Sequence, residues 1–378
     1  MKKYKLFSRL FLLTVFTVSL PYSPAEGAAT NPVGFYNFTF LGNSDTIFSP
    51  PMSRSYVFQG GIASVSGTDG QVITVGSQDT PSFVENEFVY QEGVQSDTFY
   101  VRITSGTKAG MYYTIDSNTA STLTLDLNGD VIDDGSVAEG DTFQIIPYWT
   151  LNTLFPDGAG IHPSPTFSSA SDISIPDNTT PGINLATTET YFYYEGEFEG
   201  GPGWRRKGGE SATIEDDFII CPDDYIVVRN PDLGDTALGF IGDTPMHPLS
   251  TPINILAANT PQDNFISFSV PEPMTLRESQ LFESGVFEGS PTFSDVDSLA
   301  TFDNTQVAQN KASTAVYFYY EGEFEGGPGW RRKGGDPSII HDDTQVFQPG
   351  NGYVIRKAAK EEPSTSIWTY NPSYLTSP

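Results

Sequence analysis

The chain has 378 residues, with 47 Asp and Glu against 19 Lys and Arg, and the resulting formal charge of −28 repels nucleic acid and anionic lipid. Its 36 Gly, 28 Pro, 19 Tyr and 27 Phe, beside abundant Thr, Ser, Val and Ile, favour short strands joined by tight turns, which is an all-β composition. Cys221 is the single cysteine, so no intrachain disulfide can form and stability must come from packed cores.

In chain order, Lys2, Lys3, Lys5 and Arg9 precede an apolar run over 10–20 and a small-residue site at 27–29. That order predicts a signal peptide over 1–29, because the apolar run falls short of the ~17 residues that span a bilayer. Cleavage removes four basic side chains and Glu26, leaving the exported chain more acidic still. Nothing further along is long and apolar enough to make a transmembrane segment. The expected location is extracellular, cell-surface or periplasmic.

Residues 30–149 read as one N-terminal β-domain, a small β-barrel or sandwich. Six strand-like runs, 61–66, 71–75, 98–104, 111–115, 121–127 and 141–146, are separated by turn clusters, and several alternate apolar and polar residues with period two. From the end of the fifth run onward, Asp126, Asn128, Asp130, Asp133 and Asp134 offer oxygen ligands at the gaps used by calcium loops. Val131 stands where such a loop needs glycine, and the twelfth position lacks Glu, so the segment fits either a Ca²⁺ site or a plain acidic turn.

From about Trp149 the chain reads as one unit built twice. The 19-residue block YFYYEGEFEGGPGWRRKGG occupies 191–209 and recurs unchanged at 317–335, with weaker similarity on both sides. Two duplicated β-sandwich-like domains are expected, 150–272 and 273–378, with 230–272 linking them or completing the first and a loosely ordered tail after Lys357. Strand alternation puts Phe192, Tyr194 and Phe198 on a core face, and Tyr191, Tyr193, Glu195, Glu197 and Glu199 on a wet one. Gly200-Gly201-Pro202-Gly203 makes the turn, and Arg205, Arg206 and Lys207 return opposite the glutamates.

The segment 147–156 (PYWTLNTLFP), the paired Tyr-Phe-Tyr-Tyr-x-Gly…Gly-Trp-Arg blocks and the ending 349–356 (PGNGYVIR) together resemble a paralogous family of exported proteins of Gram-negative bacteria. The resemblance covers nearly all of the chain after residue 29. It implies export and a β-rich build and brings no activity, ligand or catalytic residue. The Glu-Phe-Glu-Gly-Gly-Pro stretch inside both blocks is longer than the turn the family pattern leads one to expect.

The chemistry-bearing groups are few. Glutamates at two-residue steps of ~6.5–7 Å fall within the ~6.5–9.5 Å carboxyl separation of inverting glycosidases, yet equally make a charged hairpin face beside Arg205. Tyr191, Tyr193 and Trp204, with Tyr317, Tyr319 and Trp330, are candidate ligand-binding rings, joined by Arg205 and Arg331; the same rings also suit the edges of a core. His162, His247 and His341 are scattered, and no HExxH, Gly-x-Ser-x-Gly, phosphate-loop or dinucleotide pattern occurs. The expectation is a secreted, non-enzymatic structural or adhesive protein without cofactor, Ca²⁺ apart. The alternatives are a carbohydrate-binding protein using the duplicated hairpins and a secreted glycoside hydrolase. Its partners would be polysaccharide or other surface proteins.

Overall fold

The computed structural model describes residues 31–376 other than 134, 199, 232, 293–295 and 324–325, so the signal segment 1–29 lies outside the described residues. The described chain is nearly all β. It opens with β1 (Val33–Phe40) and β2 (Ser44–Phe48). Six strands follow: β3 (Phe58–Ser66), β4 (Val72–Val75), β5 (Phe99–Ile103), β6 (Tyr112–Asn118), β7 (Thr122–Asp126) and β8 (Thr142–Pro147). Next come β9 (Trp149–Thr150), β10 (Asp172–Ile175), β11 (Glu189–Tyr194), β12 (Gly203–Arg206), β13 (Ile219–Ile220), β14 (Ile226–Asn230) and β15 (Thr236–Asp243). The chain finishes with β16 (Leu249–Ile255), β17 (Gln262–Ile266), β18 (Ser298–Thr301), β19 (Ala315–Tyr320), β20 (Gly329–Arg332), β21 (Tyr353–Lys357) and β22 (Ser364–Tyr370). Among the described residues no helix is long and apolar enough to cross a membrane.

The six period-two runs become β3 to β8, and they close into a barrel in the order β3-β4-β7-β6-β5-β8. Inward side chains such as Ile73, Val101, Leu123, Phe143 and Ile145 are fully buried and fill it. Closure pairs every strand on both sides and leaves the barrel without a free edge.

Strand pairing crosses the domain boundaries expected from sequence. β2 joins a five-stranded sheet ordered β12-β11-β10-β14-β2, and β17 joins a second ordered β20-β19-β18-β21-β17. Each sheet is covered on one face by a two-stranded ribbon, β1 with β15 over the first and β16 with β22 over the second. The first unit therefore starts at β1, is interrupted by the barrel and resumes at β9. The second is continuous from β16 to β22. The expected linker over 230–272 supplies β15, β16 and β17, and the expected loose tail supplies β22, whose Trp368 and Tyr370 are buried. These partners lie far apart in sequence, beyond the reach of local periodicity.

The other faces of the two sheets pack against each other through Ile47 and Tyr225 on one side and Phe265 and Val354 on the other. Tyr225 meets Phe265 edge-on at 5.8 Å. Gly352 makes room for the Tyr225 ring, since a Cβ there would come within 2.4 Å of it.

Two arms then exchange across this junction. Arg229 binds Asp45 in bidentate fashion (Nε–Oδ1 2.6 Å, Nη2–Oδ2 2.8 Å) and donates a further bond to Asn310 Oδ1 of the second unit at 2.8 Å. Arg356 binds Asp263 in the same way (2.7 and 2.9 Å) and reaches Asn184 Oδ1 of the first unit at 2.9 Å. Asn304 brackets the backbone N–H and C=O of Ile47, and Asn178 brackets those of Phe265. The two halves of the junction thus mirror each other bond for bond.

One buried position breaks the symmetry. Beside β10, Ser171 donates to Asn230 at 2.6 Å, a neutral pair. At the corresponding place in the second unit stand Asp297 and Lys357, an ion pair shielded almost completely from solvent. Removing one member strands the other charge, at a cost of about 3–5 kcal/mol, whereas a neutral pair of similar size is far better tolerated. Lys357→Met is expected to lose about that much stability in urea unfolding. Lys357→Asn with Asp297→Ser, which copies the first unit, should recover most of it; a single variant as stable as the parent would refute this account of the pair.

Candidate functional site

The repeated block forms two hairpins, β11 with β12 and β19 with β20, in identical register: Tyr193 lies opposite Trp204 and Tyr319 opposite Trp330. The wet assignment of the odd face is reversed, while the even face is covered as well, with Phe192, Phe318 and Tyr320 buried. Tyr191, Tyr193 and Trp204 point into the core beneath the first ribbon, and Tyr317 and Trp330 into that beneath the second, with Trp204 at 0 % exposure. Tyr319 is half-buried and stacks on Phe282. The reversal has a simple cause: β11 ends at Tyr194, so the glutamates that marked the odd positions as wet lie beyond the strand. Aromatic burial on this scale makes each tryptophan worth about 3–5 kcal/mol against alanine.

Arg205 and Arg331 are also buried and lie opposite Phe192 and Phe318 in the strand register. Arg205 lies over the Tyr194 ring and donates from Nη2 to Gly201 O at 2.7 Å and from Nε to Ser211 O at 2.9 Å. Arg331 repeats this over Tyr320, with Gly327 O at 2.6 Å and Pro337 O at 2.8 Å. The surface cations find other acids, Arg206 with Glu189 at 3.0 Å and Lys207 with Asp172 at 2.6 Å. Asp216 and Asp342 each accept the backbone N–H of the hairpin tryptophan, at 2.9 and 2.8 Å. Gly200 and Gly201 hold φ of 90° and 83°, and Gly326 and Gly327 hold 94° and 84°, values that disfavour a side chain.

This framework fixes the hairpin tips from below and leaves their upper surface to solvent. Phe198 is 79 % exposed at the first tip, flanked by exposed Glu195 and Glu197. Glu321 and Glu323 are likewise exposed at the second, where Phe324 and Glu325 lie outside the described residues, as Glu199 does at the first. Glu195, Glu197, Glu321 and Glu323 are exposed in the segments that follow β11 and β19, which departs from the enclosed acid a glycosidase employs.

The acidic loop has its oxygens directed elsewhere. Asp126 accepts from Asn128 N at 2.9 Å, and Asp130 accepts from Lys108 and from Tyr113, each at 2.7 Å. Asp133 accepts from the backbone of Gly135 and Ser136. Those N–H and ammonium donors hold Asp130 and Asp133 below the usual carboxylate range despite the desolvation that opposes them. Asp134 lies outside the described residues, and among those described no three His, Cys, Asp or Glu side chains are grouped to hold a metal.

A feature that sequence reasoning missed lies where the barrel meets the two units. Arg102 of β5 is buried over the rings of Tyr100 and Tyr112, at 5.4 and 5.2 Å, and Tyr112 donates to Asp223. Cys221 shows part of its surface, but burial first, and then Asp224 and Asp223, push its thiol well above the usual range, which rules out a ready thiolate. His247 is buried and donates from Nδ1 to Pro248 O at 2.8 Å, which fixes the neutral tautomer. The pattern gives no local sign of this cluster, since its members come from positions 100–148, 221–224 and 247.

Burial, then the charge of Arg102, lowers the His247 pKa from 6.5 to about 4. The unfolded chain therefore binds the extra proton first as pH falls, and the folded state loses stability between pH 6.5 and about 4. The size is up to about 3 kcal/mol. Burial raises the pKa values of Asp223 and Asp224 and acts with the opposite sign on acidification, so the readout is a difference. The parent should lose about 2–3 kcal/mol more than His247→Gln between pH 7 and 4 in urea unfolding, and parallel pH profiles would contradict a buried neutral imidazole.

In comparisons with known proteins, no family model, no curated sequence and no solved structure matches this chain.

Proposed function

We propose that the chain is an exported, non-catalytic adhesive or structural protein of the cell surface or envelope, and that the two hairpin tips are its binding elements. The observation that carries this reading is the identity of exposed positions. Packing accounts for an unchanged Trp204, Arg205 and Gly201, because the core and the turn need them. It places no demand on Glu195, Glu197 and Phe198, which face solvent, yet the block repeats them as Glu321, Glu323 and Phe324. Meanwhile fully buried positions nearby differ, as Ser171 and Asn230 differ from Asp297 and Lys357. Duplication followed by divergence that spared the block and short stretches such as 164–168 and 290–294 accounts for both facts.

An aromatic tip flanked by carboxylates fits an apolar recess bordered by cations on a protein or an amine-bearing polysaccharide. Two tips on one chain add avidity without strengthening either contact. Export rests on the basic, apolar and small-residue order at the N-terminus. The acidic loop is read as a turn that needs no ion, so melting temperatures in calcium and in chelator should coincide; a rise with calcium would reinstate the metal reading.

Labelled protein without residues 1–29 is expected to adhere to the producing cells. Phe198→Ser should weaken adhesion modestly, and Phe198→Ser with Phe324→Ser roughly 100-fold. A glycan array then separates polysaccharide from protein as the partner. Undiminished adhesion of the double variant would defeat the proposal, as would release of sugar from any polysaccharide offered.

A further inference from the structure

The two ribbons share a fold but not an environment. In the second, Ser250 of β16 pairs across the ribbon with Thr369 of β22, and this outer face is covered by the barrel. Ser250 Oγ donates to Ala109 O at 2.8 Å, Ile367 packs on the barrel core, and the backbones at Gly110 and Leu249 nearly touch. In the first ribbon the same cross-strand position holds Phe35 of β1 opposite Ile241 of β15. Nothing covers these two side chains among the described residues: each is 61 % exposed, and Val33 beside them is 65 % exposed. The polar pair is thus buried and the apolar pair is bare, the reverse of what burial energetics favour in an isolated monomer.

We infer that the outer face of the β1–β15 ribbon is a self-association surface, occupied by the same face of a second copy of this chain. Charge identifies the occupant. The exposed part of the outer face comprises Val33, Phe35, Asn37, Thr39, Ala237, Gly239 and Ile241, none of them ionisable, and the aspartate opposite Val33, Asp243, is buried and accepts from Ser55 Oγ at 2.7 Å, on a chain of formal charge −28. Two such molecules repel through most approaches, and a neutral apolar face is where a second copy can come close. A twofold axis through the ribbon sets Phe35 and Ile241 of both copies in one cluster, the self-complementary arrangement of an isologous dimer. The ribbon has only two strands, and along β1 no Lys, Glu or Pro blunts its edge. A face one ribbon wide is small beside a standard interface of about 800 Å² per partner, so the dimer is weak and concentration-dependent.

This surface is independent of the hairpin tips, and the test keeps the two apart. Sedimentation equilibrium of the exported chain should show a monomer–dimer equilibrium, and Phe35→Glu should halve the apparent mass at the highest concentration while leaving the melting temperature unchanged. Ile241→Lys reports the same face from the other strand, and Val94→Glu, at a still more exposed apolar position in the connection between β4 and β5, should leave the dimer intact. A monomer at every concentration overturns the inference. So does a dimer that survives both ribbon substitutions, or one seen only while residues 1–29 are retained. Adhesion by a monomeric Phe35→Glu protein leaves the tip reading standing, and a dimer that does not adhere leaves this one standing.

Discussion

Two bidentate Arg–Asp pairs hold the molecule's main junction. Asp45 and Asp263 are almost fully buried, and each has its carboxylate matched to a planar guanidinium whose remaining N–H reaches an asparagine on an arm from the other unit. A buried carboxylate is costly unless paired and hydrogen-bonded, so Arg229 and Arg356 are required wherever Asp45 and Asp263 are placed. The asparagines extend that requirement across the junction. Asn310 and Asn184 each also donate a backbone N–H to the same aspartates, so losing one arginine loosens strand, sheet and arm together.

From that junction the rest of the arrangement follows. Each sheet turns one face to its twin and the other to its own ribbon, which uses up the aromatic rings of the repeated block as core. Among the exposed features that neither face consumes are the first hairpin tip, with Phe198, and the outer side of the first ribbon, with Phe35 and Ile241. A groove of about 930 Å³ opens between the two sheets, lined by Asp172, Lys207 and Tyr225 of the first and by Phe265 and Val354 of the second, and one of about 830 Å³ runs along the second sheet past Ser298, Phe318 and Lys333. In the first, Asp172 lies 2.6 Å from Lys207. In the second, Ser298 takes the place of that acid and Lys333 is exposed, so the two grooves differ in charge although the hairpin sequences are the same.

Local pattern carried the barrel and little of the site. Period-two runs located β3 to β8 because a small barrel has one packed side per strand and joins neighbours by short turns. The same counting fails in β11, because the three glutamates beyond Tyr194 continue the alternation in sequence although the strand has ended. The bulky cross-strand pair of Tyr193 and Trp204 held the better signal, since two large rings side by side seek a core. Arg229 and Arg356 pair with aspartates whose distance along the chain no window spans. Placement of β1, β2 and β17 was illegible for the same reason, and so was the cluster around Arg102 and His247.

The interruption of the first unit by the barrel bears on how the chain reaches its native state. Phe35 and Ile241 are about 200 residues apart, whereas Ser250 and Thr369 are about 120 apart, so the first ribbon has the larger closure entropy to overcome. The barrel's first and last strands are hydrogen-bonded neighbours, Phe58 to Ile145. Once it has folded it acts as a short clasp, and the effective loop of the first ribbon shrinks to about that of the second. An insertion that looks like a burden on assembly is, in kinetic terms, a tether that draws the early strands toward their late partners.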